Sequence, residues 1–190
     1  DLEFSPGMMV RTNPEDGYAS LSMVNLAFIG YGEDKLPDDL ASSIVSLAAP
    51  FAPLDGVNEK GLAVGVLLID TEATDQRTDR VDITTTTAGV PAEGKTYMAA
   101  TNFLLTPGEY DFGGGEDRYA TVMGALEAAE GVMDEQQAMD TLQSVSREVK
   151  IKDNGEVFQT QWSVVYNLDR GTAKICMGGK YDEVHELSIA

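Results

Sequence analysis

The most regular alternation in the chain lies near its end. Thr160 to Leu168 places Trp162, Val164, Tyr166 and Leu168 on one face, and Thr172 to Met177 places Ala173, Ile175 and Met177 on one face. The Asp169-Arg170-Gly171 turn between them predicts an antiparallel hairpin, and Val184 to Ile189 reads as a last strand. Upstream the period changes. Tyr119, Val122, Met123, Leu126 and Ala129 recur at helical spacing, which predicts a helix from Asp117 that ends at Gly131. Asp134 with Gln137 resembles a capping box for a second helix that turns Ala138, Leu142 and Val145 inward.

The first half is less regular. Ala19 to Phe28 alternates loosely as a strand, with Leu21 and Met23 on one side and Val24, Leu26 and Phe28 on the other. Leu40, Ile44 and Leu47 predict a helix over 37–48 with a serine-rich outer face, stopped by Pro50 and Pro53. Asp55-Gly56 reads as a tight turn, and Ala63 to Ile69 as a strand covered on both faces. Residues 70–82 read as solvated loop, 83–88 as a strand or a threonine-capped helix start, and 153–155 as a turn. Tyr97 to Phe103 reads as a short strand ending at Asn102. Strands and helices in this mixture predict an α+β chain, and 190 residues suit a single domain.

Charge narrows the partners. Thirteen basic against 32 acidic residues give a net charge of −19, a field that repels phosphate backbones and anionic lipid surfaces. No nucleic-acid partner is therefore expected. No apolar run is long enough for a membrane span, and residues 1–20 carry no signal-peptide pattern. One cysteine excludes an internal disulfide and fits a reducing, cytoplasmic setting. A homo-oligomer is compatible with all of this.

Candidate chemistry is sparse. Cys176 and His185 are the lone cysteine and histidine and flank a turn, so a nucleophile pair and a buried structural thiol are both open readings. No spacing supports zinc or an EF-hand, and Gly113-Gly114-Gly115 lacks the lysine-threonine ending of a phosphate loop. No metal or cofactor is expected. Asn102 either donates hydrogen bonds into a cleft or caps a strand end. Arg118 opens a helix, where a cation opposes the macrodipole by a few tenths of a kcal/mol. It either has another duty, such as holding a carboxylate, or pairs with Glu116 or Asp117.

Asp55-Gly56-Val57-Asn58-Glu59-Lys60-Gly61-Leu62 resembles the DGMNEKGL signature of the choloylglycine hydrolase and linear-amide C–N hydrolase family, with valine in place of methionine. Ala100-Thr101-Asn102-Phe103 resembles that family's VTN segment, and Glu116-Asp117-Arg118-Tyr119 its arginine-bearing helix start. Gln161 to Tyr166 with 172–177 resembles its terminal hairpin. The resemblance implies an N-terminal-nucleophile αββα sandwich of antiparallel sheets. It also implies hydrolysis of an N-acyl amide, such as a conjugated bile acid, a penicillin or an N-acyl amino acid. An N-terminal cysteine thiolate attacks, with its own α-amine as base, so no histidine is needed. Asn102 would polarise the carbonyl, and Arg118 would lie in the active site.

The chain begins at Asp1, so the nucleophilic cysteine is expected outside these residues. The family's middle helix and strand pair have no counterpart between the threonine run and Asn102. Leu68 stands where bile-salt hydrolases carry an asparagine. The expectation is thus a partial amidohydrolase-like domain. A binding or scaffold domain that kept the sheets and lost the chemistry is the rival reading.

Overall fold

The computed structural model describes residues 6–32, 38–66, 94–103, 105, 108–109, 111, 113–151 and 157–190. The chain is α+β and forms two compact units. One unit joins Asp1–Val66 to Glu135–Ala190; the other is Leu67–Asp134.

The first unit is built on facing antiparallel sheets. β1 (Gly7–Thr12), β2 (Ser20–Asn25), β3 (Pro53–Asn58) and β4 (Ala63–Gly65) pair in that order. β7 (Trp162–Asn167), β8 (Thr172–Met177) and β9 (Val184–Ser188) make the second sheet. β5 (Lys150–Ile151) and β6 (Val157–Phe158) form a separate short pair. Ala19, Leu21 and Val57 of the first sheet meet Ala173 and Ile189 of the second region in one buried core. Met9, Val164, Tyr166 and Leu187 pack against it. Each fully buried leucine- or methionine-sized side chain there is worth about 1.5–3 kcal/mol.

The alternation around β7 and β8 has a simple cause: both of their faces are covered. Val164, Tyr166, Ala173 and Ile175 face the first sheet, while Ser163, Asn167, Lys174 and Cys176 lie on the opposite side. There α3 (Glu135–Ser144) is fastened. Glu135 accepts from Asn167 and binds Lys174 at 2.9 Å and Arg170 at 3.0 Å. Those cations, with the Lys174 ammonium foremost, hold the Glu135 carboxyl below its usual range. Tyr181 links Ser163 to the Leu142 carbonyl farther along α3.

The first sheet departs from its sequence pattern at β2, at Asp55-Gly56 and at β4. β2 stops at Asn25, whose side chain accepts from Ala27 N and starts a 3-10 turn, so Phe28 is exposed instead of continuing a strand. Asp55-Gly56 is not a turn but the middle of β3. A Cβ on Gly56 would lie 2.7 Å from the Leu21 carbonyl oxygen, so this glycine serves close strand approach. The turn falls at Asn58–Gly61, where Asn58 Oδ1 accepts from Lys60 N and Leu62 N. β4 that follows is exposed where its residues are described, unlike the doubly covered strand expected. Residues 67–69, with Leu68, lie outside the described residues, as do 70–88 and 153–155.

The helix departs from its pattern as well. α1 is Leu40–Val45, capped by Asp39 and Ser42 in a reciprocal box, and it tightens into a 3-10 segment over Ser46–Phe51 that contains Pro50. The inward face is the reverse of the expected one. Tyr31 donates to the Ser42 carbonyl, and Ala49 is buried with Val24 and Leu26, while Leu40, Ile44 and Leu47 point to solvent.

In the second unit, α2 (Glu116–Ala128) matches the expected helix. Tyr119, Val122, Met123 and Leu126 are half-buried along it, with Arg118 and Ala125, and so is Ala129 at its C-cap. Tyr97 to Phe103 forms no strand among its described residues; it makes a single bridge between Asn102 and Gly114.

Candidate active site

Asn102 and Arg118, singled out separately in the sequence, meet in the second unit. Arg118 donates from Nη2 to Oδ1 of Asn102 at 2.8 Å. Both side chains are half-buried. An arginine can only donate, so Oδ1 is the atom that faces the guanidinium, and Nδ2 is the donor end of the amide. Bonding to a cation also withdraws electron density from the amide and strengthens that donor.

The local chain is shaped for this bond. Gly114 N donates to the Asn102 carbonyl at 2.9 Å, and Thr101 Oγ1 donates to the Gly115 carbonyl at 3.0 Å. These two bonds lay the 101–103 segment beside the start of α2. Gly115 is the N-cap at φ 94°, a left-handed conformation that side-chain-bearing residues resist. A Cβ there would lie 2.5 Å from Arg118 Nη2. The guanidinium therefore folds back across the bare glycine to reach Asn102. Phe103 and Tyr119 stack edge to face at 5.3 Å just behind. Glu116 and Asp117 occupy the first turn, where acids suit the helix dipole, and both are exposed.

The glycine run was legible as a backbone device, but its use was not. It admits the arginine. Gly-Gly-Gly directly before an arginine-bearing helix start was the signal available.

The Cys176–His185 pair does not form. In the β8–β9 register Cys176 opposes Val184 while His185 opposes Ile175, so the two side chains leave opposite faces of the sheet. Cys176 is fully buried, and burial pushes its thiol above the ordinary value, with Asp182 and Glu183 adding to the effect. It is a structural thiol. Among the described residues no group of three or more His, Cys, Asp or Glu side chains could hold a metal ion. No helix among them is long and apolar enough to cross a membrane.

One polar pair in the first unit escaped the sequence. Asp55 of the DGVNEKGL motif accepts from the Tyr166 hydroxyl at 2.5 Å, joining β3 to β7 between the sheets. Burial raises the Asp55 carboxyl above its usual value, against smaller opposing pulls from Tyr166 and Trp162. Burial, then the Asp55 bond, pushes the Tyr166 hydroxyl far up.

No family model matches the chain, and neither a curated protein nor a solved structure matches it.

Proposed function

We propose that these residues are part of a linear-amide C–N hydrolase of the choloylglycine hydrolase type, acting on an N-acyl amide. The observation that carries the reading is the Arg118–Asn102 bond. Two residues that the resemblance places in one amide-hydrolysing site are joined by a hydrogen bond that orients and polarises the Asn102 amide. Such a donor suits the carbonyl oxygen of a linear amide and the oxyanion that develops on attack. The layering of the first unit supports the same reading: facing antiparallel sheets carry a helical segment on each outer side, as an αββα sandwich requires.

In this scheme a cysteine outside these residues supplies the nucleophile. Its thiol proton passes to its own α-amine, the sulfur bonds to the amide carbon, and the charge on oxygen is met by Asn102. The C–N bond then breaks with the proton returned to the leaving amine, and water clears the thioester. Arg118 acts through Asn102 and by its positive charge.

The test is turnover of a chromogenic phenylacetyl or phenoxyacetyl amide by the protein with its upstream cysteine. Asn102→Ala should lower kcat by about 10²–10³, the usual effect of removing one oxyanion donor. Arg118→Ala should lower it sharply without unfolding the protein. Absence of turnover by the protein bearing its cysteine sinks the hydrolase reading and favours a binding or scaffold domain. Turnover that ignores both substitutions removes this pair from the site.

A further inference from the structure

We propose that Thr101 is a positioning residue, whose hydroxyl places the Asn102 amide where the carbonyl oxygen of the substrate amide arrives. Its consequence for catalysis rests on the hydrolase reading; the placement itself rests on hydrogen bonds within the second unit.

Asn102 and Gly114 face each other in an isolated antiparallel bridge, with Gly114 N donating to the Asn102 carbonyl at 2.9 Å. In that register Thr101 stands opposite Gly115, one step nearer the helix. The two chains come close here: a Cβ on Gly113 would lie 2.7 Å from the Asn102 carbonyl oxygen. One bridge sets where two chains cross but leaves the twist between them soft. The Thr101 hydroxyl supplies a second point, donating to the Gly115 carbonyl at 3.0 Å. A threonine serving its own segment would bond a backbone group close by in sequence. This one reaches across 14 positions.

The acceptor says what the bond is for. The Gly115 carbonyl is the N-cap oxygen of α2 and already takes a helical bond from Tyr119 N at 2.8 Å. It would be satisfied without Thr101. The hydroxyl therefore does not rescue a stranded group; what it adds is position. It refers the 101–103 segment to the same helix start that carries Arg118. Asn102 is then located twice from one element: through its neighbour's hydroxyl, and through its own Oδ1, which accepts from Arg118. A β-branched side chain suits this task, because its χ1 is stiff and keeps the hydroxyl aimed.

An oxyanion donor works only where the charge develops, and a misplacement of about 1 Å can cost about 100-fold in rate. Thr101 acts through Asn102. Losing its hydroxyl should lower kcat, leave KM nearly alone and do nothing once the Asn102 amide is gone.

Two measurements test this, one of them independent of turnover. In proton–nitrogen NMR spectra of the full chain, the Asn102 side-chain amide, identified by its loss in Asn102→Ala, reports the placement. Thr101→Val should move that signal toward its position in Arg118→Ala, and Thr101→Ser should leave it near the parent's. A signal that ignores Thr101→Val overturns the proposal, as does one that valine and serine shift alike. The second measurement is turnover of the chromogenic amide by the protein with its upstream cysteine. Thr101→Val should lower kcat about tenfold with KM within about twofold, and Thr101→Ser should recover most of that loss. In the Asn102→Ala background Thr101→Val should lower kcat no further. Full kcat in Thr101→Val overturns the proposal. So does an equal loss in both backgrounds, because the threonine would then act on the fold at large. Should the cysteine-bearing protein turn nothing over, the hydrolase reading falls, and the amide signal alone decides whether Thr101 places Asn102.

Discussion

Tyr166 and Asp55 stand 111 residues apart and meet between two sheets; Arg118 and Asn102 stand 16 apart and meet where a helix starts. Both are hydrogen bonds between half-buried side chains, yet they tie different parts of the fold together. The first ties a carboxylate into a core whose burial already disfavours its charge. The second joins half-buried groups in a unit whose helix stands on its own periodicity. A polar pair that joins two sheets is a constraint on stability, because losing one member leaves the other partly desolvated without its partner. A pair at a loop can be lost with little damage to the fold, which leaves it open to serve chemistry.

The largest expected effect on stability is therefore at Tyr166. Tyr166→Phe removes the main donor to Asp55 and should destabilise the protein by about 1–3 kcal/mol in urea unfolding at neutral pH. A loss below about 0.5 kcal/mol would place the two pairs on the same footing and end the contrast. Gly115→Ala comes next. It puts a side chain at φ 94° and pushes on the guanidinium, costing about 1 kcal/mol or more and separating Arg118 from Asn102. In the hydrolase reading its activity should fall toward that of Arg118→Ala; full activity would show that the bond is not needed.

How far these features were legible depends on cover. The β7–β8 hairpin was readable because each face has its own neighbours, the first sheet for Tyr166 and α3 for Asn167. The α1 stripe was misread because periodicity tells which residues share a face and is silent on whether anything covers that face. Leu40, Ile44 and Leu47 do share one, and it is open. Gly56 was misread because a glycine after an aspartate serves a turn or a close strand approach equally well, and only Leu21 on the neighbouring strand decides between them. Asn102 and Arg118 each stood out as a polar residue in an awkward place, and the resemblance set both in one site, but nothing in the sequence showed that they would bond to each other. Asp55 did not stand out, since its partner is far along the chain and its motif looked like a turn.

Asp55→Asn sharpens the contrast through pH. The folded protein raises the Asp55 carboxyl above its unfolded value of 3.8, so folding favours the protonated form. That contribution is fully present below 3.8 and is lost as the pH rises through the folded value. Asparagine keeps an acceptor for Tyr166 and does not ionise. Relative to the parent, the variant's stability should therefore rise as the pH climbs above 3.8 and then level off. Unfolding midpoints across that window test it; parallel curves for parent and variant would mean that Asp55 is not desolvated by the core.

The smallest effect belongs to Arg118. Arg118→Ala deletes a cation near the positive end of α2, a placement that costs the helix a few tenths of a kcal/mol. It also deletes one charge-assisted bond between groups that solvent still reaches. The two changes oppose each other, so the net loss of stability should stay below about 1 kcal/mol. The same holds for Asn102→Ala, and in a double-mutant cycle their coupling should be modest in unfolding yet large in turnover. A coupling of equal size in both measurements would make Arg118–Asn102 a second structural tie like Tyr166–Asp55, and the loop around Gly115 would then be a brace rather than a site.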